Sequence, residues 1–161
     1  MQLVSVAALA ENRVIGDDGD VPWPPIPEDI AQYRERVTDA PVILGRRTFE
    51  AMRGDLPGAR QIVVSRSVDS VPEPTAVVVS DADSALAEAQ RLAPDGAVYV
   101  LGGGAIYELF LPHLDRMILS HVDGSYEGDT RYPAFDESRW TVAETTSYDR
   151  FTLQEWVRIG E

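Results

Sequence analysis

Three segments of the chain place glycine, arginine or hydroxyl side chains directly after short apolar runs. They are residues 45–48 (Gly-Arg-Arg-Thr), 65–67 (Ser-Arg-Ser) and 102–105 (Gly-Gly-Gly-Ala). Guanidinium groups and free N–H groups at the start of a helix bind anions, and glycine lets an anion approach the backbone. Each segment alone also fits a surface ion pair or an ordinary turn. Because the carboxyl ends of parallel strands share one edge of a sheet, the three together predict a phosphate-binding edge.

Asp29 is the acidic residue with the most informative surroundings. It falls in the first turn of a predicted helix and shares a face with Tyr33, four residues later. A carboxyl group beside an apolar face is partly desolvated and could donate a proton. The alternative is that Asp29, like its neighbour Glu28, only stabilises the helix dipole, which is the commoner role of an acid in a first turn.

A long loop is predicted from Asn12 to Pro27. It contains Gly16, Gly19 and several prolines on either side of Trp23. A glycine hinge with a large aromatic side chain is typical of a lid over an active site. The alternative is a surface loop pinned by one buried tryptophan.

Metal and thiol chemistry find no support in the sequence. The chain has no Cys, so it has neither a thiolate nucleophile nor a thiolate metal site. His113 and His121 lack neighbours with metal-ligand spacing, and we expect His113 at the surface and His121 in a strand. The sequence predicts no metal site.

Apolar runs and helical patterns alternate through the first two thirds of the chain, which indicates an α/β fold. Five runs predict strands buried on both faces, as in a parallel sheet: Leu3–Ala10, Pro41–Leu44, Gln61–Ser65, Ala76–Val79 and Ala97–Leu101. The helical patterns cover Glu28–Val37, Thr48–Met52, Asp83–Leu92 and Ala105–Leu111.

The last third predicts strands without helices between them. These strands are Arg116–Val122, Trp140–Thr146 and Phe151–Ile159, and Tyr126–Asp136 is expected to be a loop. We therefore predict one domain over residues 1–161. Its central, mostly parallel sheet has eight strands and an antiparallel C-terminal edge, flanked by about four helices.

The composition is strongly acidic. The chain has 27 acidic and 14 basic residues, a net charge of −13, and all 14 basic residues are Arg. This charge argues against binding to nucleic acid or to an anionic membrane. Its self-repulsion is screened best in concentrated salt, which favours a salt-rich cytoplasm over a merely acidic mesophilic protein. The apolar start lacks a basic lead, so a strand is expected there and not a signal peptide, and no run is long enough to span a membrane.

The ordered set of motifs resembles dihydrofolate reductase, of the halophilic archaeal type. The matching segments are 7–10 (AALA), 12–16 (NRVIG), 22–23 (PW), 27–29 (PED), 41–50 (PVILGRRTFE), 56–58 (LPG), 102–107 (GGGAIY), 110–112 (FLP) and 127–130 (EGDT). The resemblance implies a monomer that reduces 7,8-dihydrofolate to tetrahydrofolate with NADPH. It implies that Asp29 is the ionisable group of the pterin pocket, that Trp23 holds a water near it, and that Ser120 is a hydroxyl linked to it.

The resemblance also implies two sets of binding residues. The substrate pocket would be walled by Val6, Ala7, Ile30, Tyr33, Met52, Leu56 and Leu101. NADPH would contact Ala8, Ile15, Gly16, Gly45, Arg46, Arg47, Thr48, Val64, Ser65, Arg66, Gly102, Gly103, Gly104, Ala105, Ile106 and Tyr107.

Two departures from the family pattern stand out. One extra residue lies between Trp23 and Asp29, and Ala59 stands where the family usually has an Arg that grips the folate carboxylate. Arg34, Arg36 and Arg60 are the candidates to replace it, because a shift of one residue along a strand turns a side chain to the other face. Two rival functions remain: the related reductase of riboflavin biosynthesis, and a non-catalytic nucleotide-binding module that has no use for Asp29.

Overall fold

The fold is a three-layer α/β arrangement in a computed structural model that describes residues 1–17 and 20–160. Its strands are β1 (Gln2–Leu9), β2 (Val14–Gly16), β3 (Pro41–Gly45), β4 (Arg60–Val64), β5 (Ala76–Val79), β6 (Ala97–Val100), β7 (Arg116–Val122), β8 (Thr130–Arg131), β9 (Trp140–Ser147) and β10 (Phe151–Arg158). Its helices are α1 (Pro27–Val37), α2 (Arg46–Ala51), α3 (Ala82–Leu92) and α4 (Gly104–Phe110), with short 3-10 turns at Leu111–His113 and Glu137–Arg139. Gly19, part of the lid hypothesis, lies outside the described residues.

Eight strands form the central sheet, in the order β5-β4-β3-β6-β1-β7-β10-β9. The pairs from β5 to β7 are parallel, and β10 pairs antiparallel with both β7 and β9. This confirms the predicted mostly parallel sheet with its antiparallel C-terminal edge. The carboxyl ends of β1, β3, β4 and β6 therefore lie along one edge, as the junction argument required.

The two faces of the sheet bury separate apolar clusters. On one face, Val37 of α1 and Phe49 of α2 pack with side chains of β1 and β3. On the other face, Ala85 and Ala89 of α3 and Phe110 of α4 pack with alternate residues of the same strands. Burial on both faces explains why the parallel strands read as continuous apolar runs.

A second, two-stranded sheet pairs β2 with β8. This corrects the prediction of loops over 12–27 and Tyr126–Asp136. Strands of two or three residues are too short to show a periodicity, and the pairing is set by tertiary contacts. The Tyr132 N–H donates to the Arg13 carbonyl at 2.8 Å, and the Asp129 N–H to the Gly16 carbonyl at 3.1 Å.

Helix α1 is less buried than its pattern predicted. The helical spacing of Ile30, Tyr33 and Val37 predicts that they share one apolar face. Only Val37 is fully buried, however, and Ile30 is 50% exposed. None of the described helices is long and apolar enough to span a membrane.

Candidate active site

The β3–α2 and β6–α4 junctions touch at the carboxyl edge of the sheet. The Gly45 N–H donates to the Gly102 carbonyl at 2.9 Å, and the Leu101 N–H donates to the Ile43 carbonyl at the same distance. Helix α2 begins at Arg46, two residues before its predicted start, so both adjacent arginines belong to its first turn. Two segments predicted to bind anions are therefore brought together by direct contact.

A cavity of about 850 Å³ opens at these junctions. It is lined by the predicted residues Ala8, Ile15, Gly16, Gly45, Arg46, Arg47, Thr48, Ser65, Gly103, Gly104, Ala105, Ile106 and Tyr107, and by Leu101 from the predicted substrate wall. This volume lies within the range of about 300–1,000 Å³ that is usual for ligand and cofactor pockets. The structure thus assembles into one cavity most of the residues that the sequence suggested for a cofactor.

Three predicted cofactor residues do not line this cavity, and five unpredicted residues do. Val64, Arg66 and Gly102 lie outside its wall, whereas Asp20, Val21, Ser67, Asp129 and Thr130 form part of it. Thr130 reaches the wall because Gly104 has no side chain: a Cβ on Gly104 would lie 2.6 Å from the Thr130 methyl group. The motif at 127–130 was visible in the sequence, but nothing local showed that it returns to the sheet edge.

Gly102 packs closely against Tyr107, which lines the cavity. Its φ of +99° favours glycine, and an added Cβ would lie 2.7 Å from the Tyr107 ring. The Tyr107 hydroxyl donates to the Val6 carbonyl at 2.6 Å, which fixes the ring against β1. Burial raises the pKa of Tyr107 well above its ordinary value, so this side chain stays a neutral donor.

Asp29 forms a side-chain pair with Ser120, 91 residues away in sequence. The Ser120 hydroxyl donates to Asp29 Oδ1 at 2.5 Å, and Gln32 Nε2 donates to the same oxygen at 3.0 Å. Ser120 is only 1% exposed and sits opposite Ala8 in the β1–β7 register. Ala8 lines the cavity, so the half-buried carboxylate of Asp29 is linked through Ser120 to the strand neighbour of a cavity residue.

Trp23 packs in the same apolar cluster as Ile26, the residue that precedes the helix carrying Asp29. It is 6% exposed and belongs to an apolar cluster with Ile26, Phe151 and Val122. The Ile26 carbonyl accepts the Asp29 N–H at 3.1 Å. Of the three predicted catalytic side chains, Asp29 and Ser120 are in direct contact, and Trp23 is linked to them through Ile26 at the start of α1.

Most of the residues predicted to wall the substrate pocket pack together on one face of the sheet. Val6 and Leu101 share an apolar cluster with Tyr33 and Leu56, and the Tyr33 hydroxyl lies 4.0 Å from the sulfur of Met52. Burial raises the pKa of Tyr33, and the nearby Arg34 charge partly opposes that rise. Ala7 packs into the cluster on the opposite face of the sheet, and the half-exposed Ile30 joins neither cluster.

The three candidate arginines have different surroundings. Arg34 lies 5.6 Å from the centre of the Tyr33 ring and donates to the Asp55 carbonyl at 3.0 Å. Arg36 lines a separate hollow of about 170 Å³ over β7 and β10, and Arg60 is exposed at the start of β4. Of the three, Arg34 is the one placed against the substrate wall.

Comparison with known proteins agrees with this site. A family model described as "Dihydrofolate reductase" matches residues 2–156. The chain belongs to the dihydrofolate reductase family. "Dihydrofolate reductase HdrB" of Haloferax volcanii is 36% identical, over 98% of this chain and 84% of the relative. "Dihydrofolate reductase 1" of Haloarcula marismortui is 39% identical, over 96% of this chain and 90% of the relative.

The structural comparison gives the same family. Dihydrofolate reductase from Enterococcus faecalis, solved in complex with NADP(H) and RAB-propyl, superimposes with a TM-score of 0.86 at 27% identity. The match covers 98% of this chain and 96% of that one. As a dihydrofolate reductase family member, the chain is an oxidoreductase, and its relatives from halophilic archaea confirm the resemblance read from the motifs.

The two histidines of this family member lie where the sequence predicted. His121 is in β7, and His113 is exposed in the 3-10 turn after α4. Across residues 1–17 and 20–160, no group of three or more acidic or histidine side chains could hold a metal ion.

Proposed function

We propose that the protein reduces 7,8-dihydrofolate to tetrahydrofolate with NADPH. The observation that carries this proposal is the Asp29–Ser120 pair beside a dinucleotide-sized cavity. A nucleotide-binding module would have no use for a half-buried carboxylate that is held by a buried hydroxyl one strand away from its cavity wall. The riboflavin-pathway rival would share the fold and the cavity, whereas Asp29 and Trp23 together favour the folate reaction.

The cavity suits NADPH because its wall is made of backbone where the cofactor would lie closest. Gly103 and Gly104 present main chain at the start of α4, and a Cβ on Gly104 would meet Thr130. Arg46 and Arg47 supply the positive charge that a pyrophosphate needs in so acidic a protein. When bound, NADPH supplies the hydride for the reduction. The relative from Enterococcus faecalis, solved with NADP(H), supports the same choice.

The segment after β4 would bind the adenosine end of the cofactor. Ser65 and Ser67 line the cavity, and their hydroxyl oxygens lie 3.2 Å apart. We assign these hydroxyls, with the neighbouring Arg66, to the 2′-phosphate that distinguishes NADPH from NADH. Arg66 lies outside the cavity wall, so its guanidinium would close over the phosphate from the solvent side.

Asp29 would hold and polarise the pterin ring. Both of its side-chain hydrogen bonds end on Oδ1, so Oδ2 can accept from N3–H and the 2-amino group of the pterin. A carboxylate bound there draws positive charge toward the ring and favours protonation at N5. Ser120 fixes the orientation of the carboxylate, and Trp23 would hold the water that delivers the proton.

Arg34 would bind the glutamate tail of the substrate. Its guanidinium lies against Tyr33, and it already pairs with a carboxylate, that of Asp55, at 3.4 Å. The Asp55 side chain is 89% exposed, so a substrate carboxylate can replace it at little cost. Arg34 therefore takes the role that Ala59 cannot fill.

We further place the protein in a salt-rich cytoplasm as a single-domain monomer, on the strength of its Lys-free acidic composition and its halophilic relatives. The deciding experiment measures NADPH oxidation with dihydrofolate in molar KCl. We expect turnover that requires both compounds and is much slower with NADH. Tight NADPH binding without dihydrofolate-dependent turnover would contradict the enzymatic proposal.

A further inference from the structure

The proline segment between Trp23 and α1 is held by a side chain from the far end of the chain. Arg150 lies in the turn between β9 and β10. Its Nη1 donates to the Pro25 carbonyl at 2.8 Å, and its Nη2 donates to the Pro24 carbonyl at 2.7 Å. The planar guanidinium fork thus bonds two consecutive carbonyl groups, a geometry that a lysine ammonium does not reproduce.

The segment depends on an outside donor because of its composition. Pro24, Pro25 and Pro27 have no N–H groups, so the segment has few donors with which to fold on itself. Pro24 and Pro25 are exposed, and the Ile26 that follows is buried. The Arg150 fork therefore sets where the segment runs before it enters α1.

Arg150 also connects the elements that carry the three catalytic candidates. Phe151, the next residue, is fully buried in the apolar cluster that contains Trp23 and Ile26. The Arg150 carbonyl accepts the N–H of Asp123 at 3.0 Å, just beyond the end of β7. Strand β7 carries Ser120, and Ile26 caps the turn that carries Asp29.

We propose that Arg150 is a positioning residue for the reaction. By holding Pro24 and Pro25, it fixes Trp23 and the start of α1 relative to Ser120, and so fixes the place of the Asp29 carboxylate. Arg150 does not line the cavity, so it acts through these residues and not on a ligand. The effect of Arg150 on kcat rests on the proposed function, whereas its effect on the positions of Trp23 and α1 does not.

The test compares Arg150→Ala and Arg150→Lys with Arg139→Ala. Arg139 is a matched control because it is 75% exposed and pairs with Asp136 at 3.8 Å, close in sequence. We expect Arg150→Ala to lower kcat about tenfold, since misplacing a catalytic group by about 1 Å can cost up to 100-fold. The KM for dihydrofolate and the Kd for NADPH should stay within about twofold, because no ligand contact is removed.

Two further measurements separate positioning from loss of stability. Acrylamide quenching of Trp23, isolated from the other two tryptophans by subtracting the Trp23→Phe spectrum, should increase in Arg150→Ala. Millimolar guanidinium chloride should restore part of kcat and of the quenching protection in Arg150→Ala. Arg150→Lys should lie between the wild type and Arg150→Ala, because one ammonium group can bond one carbonyl well.

Unchanged kcat or unchanged Trp23 quenching in Arg150→Ala would overturn the proposal. So would an equal loss of kcat in Arg139→Ala, or a loss that guanidinium leaves unaltered. If the wild-type protein shows no dihydrofolate-dependent oxidation of NADPH, the proposed function fails. The quenching and guanidinium measurements then still decide whether Arg150 positions Trp23.

Discussion

The proposed cofactor side of the cavity, at the β3–α2 and β6–α4 junctions, and the proposed pterin side, around Asp29 and Ser120, are built from different kinds of contact. On the cofactor side, backbone groups at strand ends form the wall, and the close approach of Gly45 to Gly102 joins two junctions directly. On the pterin side, Asp29 is held by side chains, and its partner Ser120 is 91 residues away. The first kind of contact comes with any parallel sheet, whereas the second depends on particular side chains meeting.

This difference predicts different consequences of substitution. A side chain added to the backbone-built wall should affect cofactor binding and stability together, because the wall is also part of the fold. Removal of a group from the side-chain network should affect the chemical step and leave the fold and the cofactor affinity almost unchanged. The variants below test this contrast in order of decreasing expected effect.

Asp29→Asn should have the largest effect. It keeps the size of the side chain and removes the negative charge, so we expect kcat at neutral pH to fall by about 100-fold or more. The NADPH Kd, measured by fluorescence titration, should stay within about twofold because Asp29 does not line the cavity. Glu28→Gln, one residue earlier in the same turn, is the control and should retain activity. A fully active Asp29→Asn enzyme would show that the pterin side does not rely on this carboxylate.

Gly102→Ala tests the backbone-built wall. The backbone φ of +99° at Gly102 and the contact of the added Cβ with Tyr107 should together lower the free energy of unfolding by roughly 1–3 kcal/mol. The NADPH Kd should rise in the same variant, because Gly102 adjoins the cavity wall. Gly54→Ala is a matched control: its φ is +95°, and nothing lies within 4 Å of the added Cβ. Equal losses in both variants would mean that strain alone, and not the Tyr107 contact, limits this wall.

The sequence predicted the residues of the cavity wall better than the pairing of Asp29 with Ser120, for a physical reason. Each junction is a local pattern, an apolar run followed by glycine or arginine, and the topology of a parallel sheet then brings the ends together. The pairing of Asp29 with Ser120 has no local pattern, and Ser120 was named only through the family resemblance. The Arg150 fork, 126 residues from Pro24, gave no signal at all.

Other failures of prediction have the same origin. Helical spacing put Ile30 on the apolar face of α1, but periodicity gives only a direction and not the extent of the surface that covers it. The β2–β8 pairing was missed because strands of two or three residues show no sequence periodicity and form only through contact with a partner strand. Among the arginines, the sequence left Arg34, Arg36 and Arg60 open, and only three-dimensional contacts separate Arg34 from the other two.

Arg34→Gln should produce a moderate and selective effect on the pterin side. We expect the KM for dihydrofolate to rise about fivefold, which corresponds to the loss of about 1 kcal/mol for a partly exposed ion pair. The KM for dihydropteroate, which lacks the glutamate tail, should not change. Arg36→Gln and Arg60→Gln are controls that should leave both constants near wild type. If Arg60→Gln raises the KM instead, the tail runs toward β4 and not toward α1.

The smallest predicted effect concerns β7, which has Ser120 on one face and His121 on the other. Ser120 faces Asp29, while His121 points to the opposite face and lies near Trp156, with 6.4 Å between ring centres. Burial lowers the pKa of His121, and Glu137 partly opposes that shift. The unfolded chain therefore binds the proton more readily, so the contribution to stability is present above about pH 6.5 and declines as the pH falls below it.

His121→Gln should flatten this decline without altering kcat at neutral pH, because the substituted side chain lies on the face away from Asp29. Thermal unfolding followed between pH 7 and about pH 5.5 measures the slope for each variant. His113→Gln, at an exposed position outside the sheet, should keep the wild-type slope. If His121→Gln also lowers kcat at neutral pH, the two faces of β7 are coupled, and the pterin side extends through the strand to the buried ring of Trp156.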